Sequence, residues 1–354
     1  MRVSVMEVDT NKFKNNISKI KKYIGNKEIM PIIKASAYGT YLNTNLDILN
    51  MFNIVAVALV DEAVKIRNLG YEKEIFVLNQ PYIDDIEDIL KYDITIGLSD
   101  ESFLDYLVKN NIKMNVHLEI ETGMNRTGIS ISNLDNFILK LKKSNINVEG
   151  VYTHFSNAED DYQYTNSQID KFKIALNKLK EFNLKYIHTS ASSGLLNFND
   201  GVSNLVRPGI IIYGYEPFDG AFDKIKLEPV AKLKSKITFI HDILEGESVG
   251  YGRRYKANKK TKIATVPIGY ADGIRKELFN KGEVIINNTK CPIIGSICMD
   301  NIMVDISNID AKVGDDVYIF DNNLIKVDDI ASMCHTINYE ILCDISARVP
   351  RIFI

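Results

Sequence analysis

The chain has 354 residues, 45% of them hydrophobic and 25% charged, and its formal net charge is −3 with no long basic block. This is the composition of a soluble globular protein with room for one large domain and a smaller one, and it argues against nucleic acid or an anionic membrane as the main partner. The expected ligand is small.

The first 14 residues lack the apolar stretch of a signal peptide, and the longest fully apolar run, 54–60, is far short of a membrane span, so the expected location is the cytoplasm. A helical pattern over 10–24 precedes the first strand. Short β-rich apolar runs then predict strands at 29–34, 54–59, 75–79, 94–98, 115–120, 148–155, 186–190 and 204–207. Amphipathic segments at 61–69, 100–109, 133–143 and 168–182 lie between them as parallel crossovers. Eight strands interleaved with helices in roughly 200 residues predict a TIM (β/α)8 barrel, an α/β fold, over 1–226. From 227 to 354 the pattern turns to alternation at 231–240, 261–268, 283–286 and 302–306, a mostly β second domain with one helical candidate at 326–334. Cys291, Cys298, Cys334 and Cys343 form no CxxC pair and no metal spacing, and are read as buried reduced thiols.

In such a barrel the functional residues lie where strands end, because the site occupies the carboxyl face. Lys34 ends the first strand, 119–126 leaves the fifth, His154 ends the sixth, Ser192 follows the seventh, and Arg207 with Gly209 and Ile210 leaves the eighth. Desolvation against the preceding apolar strand favours the neutral amine that Lys34 needs to react with a carbonyl cofactor. The loops after strands seven and eight are the usual phosphate cradle of these barrels, which fits Ser192, Gly209 and Ile210. Taken singly, each has a bland reading: a helix cap for the serine, a turn for the glycine, a core histidine for His154.

The motifs KASAYG (34–39), ETGMNRTG (121–128), VYTHF (151–155), HTSASS (188–193), VRPGIIIYG (206–214), VGYGRRY (249–255), VPIGYADG (266–273), CMDNIMVD (298–305), NYE (338–340) and ARVPRI (347–352) resemble those of the alanine racemase family, fold-type III enzymes that use pyridoxal 5'-phosphate. The resemblance spans essentially the whole chain. It implies that Lys34 bonds the cofactor and is one of two catalytic bases, and that Tyr251 from the opposite subunit of a homodimer is the other. It further implies that Tyr38, Ser192, Gly209, Ile210 and Tyr339 hold the phosphate. Arg207 would face the pyridine nitrogen, with His188 behind it, and His154 would tune Tyr251. Arg126 and the backbone near Met299 would bind the substrate carboxylate, Tyr270 would line the entrance, and Asp300 would support the site.

Departures from the family pattern matter as much. Many relatives carry a carbamylated lysine where this chain has Glu119, which looks like a built-in carboxylate for orienting Arg126. Ser36 stands for Asp or Asn, Thr40-Tyr41 for His-Gly, Asn125 for Gly and Ala191 for Asn. The implied reaction is racemisation of alanine. The alternatives are a racemase for serine or a larger amino acid, a decarboxylase of the same barrel type, and a non-catalytic pyridoxal-phosphate carrier.

Overall fold

Eight parallel strands, Glu28–Ile29, Ile54–Val57, Glu74–Val77, Thr95–Leu98, Asn115–Glu121, Asn147–Tyr152, Tyr186–His188 and Leu205–Val206, pair in chain order, and the last also pairs with the first, as the computed structural model of residues 2–354 shows. Pro31 has no N–H to give a ladder, so the remaining seam is closed around it. Ile33 N–H donates to the Ala56 carbonyl at 2.9 Å and Ala56 N–H to that of Pro31 at 3.0 Å, while Met30 and Ile32 donate to Val206 and Pro208 on the other side. The expected strand at 29–34 is therefore a two-residue strand followed by hydrogen bonds that alternate between its two neighbours. The result is the (β/α)8 barrel read from the sequence.

The strands are apolar on both faces because helices cover their outside. Val60–Asn68, Ile86–Lys91, Glu101–Lys109, Leu134–Leu141, Tyr162–Lys178 and Ser192–Asn197 fill the successive crossovers. Tyr162–Lys178 begins six residues before the expected 168, since Asp161 Oδ1 accepts from Tyr164 N–H at 2.9 Å and starts the helix there. The barrel interior alternates large and absent side chains. A Cβ on Gly150 would lie 2.7 Å from the His117 ring, and one on Gly97 would lie 2.5 Å from the Tyr152 hydroxyl. This compact unit comprises Lys14–Ala37 and Leu42–Glu228.

The other unit holds the residues up to Phe13, Tyr38–Tyr41 and Pro229–Ile354. Its nine-stranded sheet runs Phe239–Ile243, Thr261–Val266, Ile302–Asp305, Thr289–Ile294, Glu283–Ile286, Asp316–Phe320, Ala231–Lys236, Val5–Val8, Arg351–Phe353, antiparallel except for the last pair. Several of its elements had no counterpart in the sequence reading, among them the strands Val5–Val8, Thr289–Ile294, Asp316–Phe320 and Arg351–Phe353, and the helix Asn338–Cys343 that follows Val327–Met333. Only Cys291 is buried as expected; Cys298 and Cys334 are half-buried, and Cys343 ends its short helix on the surface. Among the described residues no helix is long and apolar enough to cross a membrane.

Candidate functional site

Lys34 is half-buried and opens a turn of the wrong hand for L-residues. Ala35, Ser36, Ala37 and Tyr38 have φ of 52°, 54°, 54° and 55°. Each non-glycine residue in that region costs roughly 1–2 kcal/mol, so the turn carries about 4–8 kcal/mol that its surroundings offset. No glycine in KASAY announces it. Lys34 is close enough to His154 for its charge to help depress the imidazole pKa.

Among the described residues Arg207 is the largest fully buried side chain. Its Nη1 donates to His188 Nδ1 at 2.7 Å and to the His188 carbonyl at 2.9 Å. Its Nη2 donates to the carbonyls of Thr153 at 2.8 Å and Thr189 at 2.9 Å, with His154 Nδ1 at 3.3 Å. A guanidinium accepts nothing, so both histidines must turn a lone pair toward it. His188 then carries its proton on Nε2 and donates to His117 Nδ1 at 2.9 Å, which leaves the His117 proton on Nε2 with no protein acceptor among the described residues. Burial first, and the Arg207 charge second, push His117 and His154 from the usual 6.5 to about 3, and drive His188 well below its usual value. All three rings are neutral. Burial likewise lowers Arg207 to about 10, still charged at neutral pH. Four of its five N–H groups go to neutral acceptors, and the Nε–H alone is not committed to a protein atom among the described residues.

Beside this relay, Ser192 Oγ accepts from Gly209 N–H at 3.0 Å, and its own proton goes to no protein acceptor among the described residues. Ile210 opens a short 3-10 turn, whose first N–H groups have no partner within the turn. Glu119 points inward from Asn115–Glu121, two residues beyond His117, and is buried. Burial raises its pKa, against a hydrogen bond from Thr127 and the positive charge of Arg126. Arg126 itself is exposed on the following loop.

In the unit that contains the nine-stranded sheet, the Tyr38 and Tyr339 rings lie 5.8 Å apart, tilted by 50°. Tyr251, Tyr270 and Met299 are all exposed, Tyr251 by 77%. Tyr270 and Ala271 donate their N–H groups to the carbonyls of Cys298 and Met299 at 2.9 and 3.0 Å, which sets Met299 against Tyr270. Asp300 pairs with Arg348 at 2.7 Å.

The alanine racemase N-terminal domain family matches residues 8–217, and the alanine racemase C-terminal domain family matches 230–353. The chain belongs to the alanine racemase family. It is 37% identical to the alanine racemase of Halothermothrix orenii over 98% of this chain and 95% of that protein, and 38% identical to that of Clostridium novyi over 98% and 94%. The solved alanine racemase of Clostridium difficile 630 superposes with a TM-score of 0.94 at 34% identity over 99% of this chain and 95% of its own. That of Bacillus anthracis with bound L-Ala-P does so at 0.93 and 33%, over 100% and 95%.

Two of the departures from the family pattern have a backbone explanation. Asn125 has φ 55° and Tyr41 has φ 60°, the left-handed region where relatives place glycine. Asparagine tolerates it; Tyr41 gains Arg351, whose guanidinium lies 4.5 Å over its ring. Three residues escaped the sequence reading. His117 ends the histidine relay. Glu121 accepts from Gly123 and Asn125 N–H and so shapes the loop that bears Arg126. Asp272, fully buried, accepts from Gly269 N–H at 3.0 Å and pairs with Arg2 at 2.5 Å. The available signals were the position of Asp272 in the VPIGYADG motif and of Glu121 at the start of ETGMNRTG.

Proposed function

We propose that the protein interconverts L- and D-alanine with pyridoxal 5'-phosphate as cofactor, using two bases, Lys34 and Tyr251 of the partner subunit. The observation that carries this reading is Arg207: a fully buried cation whose single uncommitted donor suits the nitrogen of a pyridine ring. Lys34 would bond the cofactor, Ser192, Gly209 and Ile210 would hold its phosphate from the barrel, and Tyr38 and Tyr339 would add hydroxyls.

When bound, pyridoxal phosphate makes the Cα–H of an amino acid acidic by delocalising the electron pair left behind. Lys34 Nζ exchanges the Cα proton on one face and Tyr251 Oη of the partner subunit on the other. Arg207 stays charged, so it would offer the ring nitrogen a hydrogen bond without giving up the proton; this restrains electron withdrawal and favours return of the proton to Cα. His154 accepts from Arg207 on Nδ1, which puts its own proton on Nε2, ready to donate to Tyr251 of the partner subunit. Arg126 and the Met299 backbone bind the carboxylate, with Glu119 orienting Arg126 in place of a carbamylated lysine. His188 supports Arg207, Asp300 supports the loop at Met299, and Tyr270 lines the entrance. The segment 1–226 would bind the cofactor, and 227–354 would complete the partner's site in a cytoplasmic homodimer.

Borohydride reduction of the purified protein loaded with pyridoxal phosphate tests this reading. The pyridoxyl group is expected on the peptide containing Lys34, and finding it on another lysine overturns the assignment.

A further inference from the structure

Four left-handed residues in succession need to be held: Ala37 N–H donates to the Ile33 carbonyl at 3.0 Å, and a carboxylate takes the first of the four. Glu62 lies in the first turn of Val60–Asn68, the helix that follows the second barrel strand. Its Oε2 accepts from the N–H groups of Ala58 at 2.9 Å and Leu59 at 3.2 Å, as the third residue of a helix does in a capping box. Its Oε1 leaves the helix altogether and accepts from Ala35 N–H at 2.6 Å. Ala35 follows Lys34 and is the first residue of the left-handed turn.

We infer that Glu62 is a positioning residue for Lys34: through the Ala35 N–H it holds the left-handed turn and so fixes the direction from which Lys34 projects. Its consequence for chemistry rests on Lys34 being the residue that bonds the cofactor. A carboxylate suits the task because it accepts with both oxygens at once, and a charged acceptor makes the stronger bond. An amide has one acceptor oxygen and cannot serve both ends.

Helix capping alone would explain two of the three bonds, and the protein itself shows how to separate the two roles. Asp329 and Asp85 cap their own helices from the same third position, accepting from Lys326 and Tyr82 N–H at 2.8 Å each. Glu62→Asp therefore keeps the cap but is one methylene too short to reach Ala35. Ala35→Gly removes the cost of the left-handed conformation and lessens the need for a clamp.

The experiment compares wild type, Glu62→Asp, Glu62→Gln, Ala35→Gly and Glu62→Asp/Ala35→Gly. Hydrogen exchange is read in the peptide covering 33–38, together with the rate at which Lys34 recaptures pyridoxal phosphate after its removal, the kcat for alanine, and the thermal midpoint. Glu62→Asp should exchange faster in that peptide and recapture cofactor about tenfold more slowly, with kcat reduced similarly, as expected of a displaced reacting group. Its thermal midpoint should stay near wild type, and the added Ala35→Gly should recover most of the loss. Wild-type exchange and capture in Glu62→Asp would overturn the inference, as would a loss that Ala35→Gly leaves untouched. Should Glu62→Gln fail to fold, Glu62→Asp carries the test alone. Labelling of a lysine other than Lys34 would defeat the site assignment, while the exchange data would still report on the clamp.

Discussion

Glu119 shows how a single side chain can be read two ways until its surroundings are known. On the strand it alternates with apolar residues that are also buried, so facing could not be taken from the sequence, because a parallel barrel buries both sides of each strand. In the structure it is buried beside Thr127, Arg126 and Tyr152, which is no place for an idle solvent-facing carboxylate. Glu119→Gln should raise the KM for alanine by the equivalent of about 1–3 kcal/mol through a looser Arg126, and wild-type activity should not change when dissolved carbon dioxide is removed. Unchanged steady-state kinetics in the variant would contradict that role. The histidine relay makes a second prediction. His117 is depressed from 6.5 to about 3 in the folded protein, and His188 is lowered too, so the unfolded chain binds more protons than the native one below pH 6.5. The stability they contribute is complete above pH 6.5 and is lost as the pH falls toward 3. At pH 5 the loss is ~2 kcal/mol for His117, with His188 adding to it in the same direction, and urea unfolding at pH 7.5 and pH 5.0 measures it.

At the scale of elements, the strands of the barrel were legible because each is a short apolar run bounded by turn residues, and four crossovers were legible from their amphipathic pattern, whereas the six-residue helix Ile86–Lys91 was too short to show one. The N-terminal helix was read at Thr10–Ile24, where Asp9 Oδ1 accepts from Asn11 and Lys12 N–H at 3.0 and 2.9 Å. Val5–Val8 was not legible, being four residues whose partners lie more than 200 positions away. The left-handed turn after Lys34 was not either, since Ala, Ser and Tyr give no sign of positive φ and the conformation is imposed by tertiary contacts. The residues of the candidate site that stand at strand ends could be named from the fold alone. The Arg207–His188 pair came from the resemblance, and its extension to His117 was not legible, because it joins side chains of different strands whose spacing only the closed barrel sets. Ala191 illustrates an element that is incomplete. It stands at the N-cap of Ser192–Asn197 in extended geometry, φ −81° and ψ −163°, with no side chain to cap the helix. Ala191→Asn should stabilise the protein by ~1 kcal/mol, seen as a higher thermal midpoint; a lower one would show that the side chain does not fit there.

For the whole molecule, the proposal is that a site is assembled from two chains. Racemisation needs a base on each face of the substrate plane, and the barrel supplies only Lys34 near the proposed cofactor, whereas Tyr251 is 77% exposed on the other unit. Lys34→Ala and Tyr251→Phe homodimers should each be severely impaired. Random mixing of the two would give about half heterodimers, each with one intact site, and so about a quarter of wild-type activity; no recovery, with subunit exchange verified, would contradict shared sites. The most direct test of the central claim follows the Cα hydrogen of L-alanine in deuterated water, with serine and larger amino acids run alongside. The expected result is deuterium at Cα accompanied by D-alanine, dependent on pyridoxal phosphate and strongest for alanine. Exchange without inversion, or no exchange with alanine while another amino acid reacts, would contradict it.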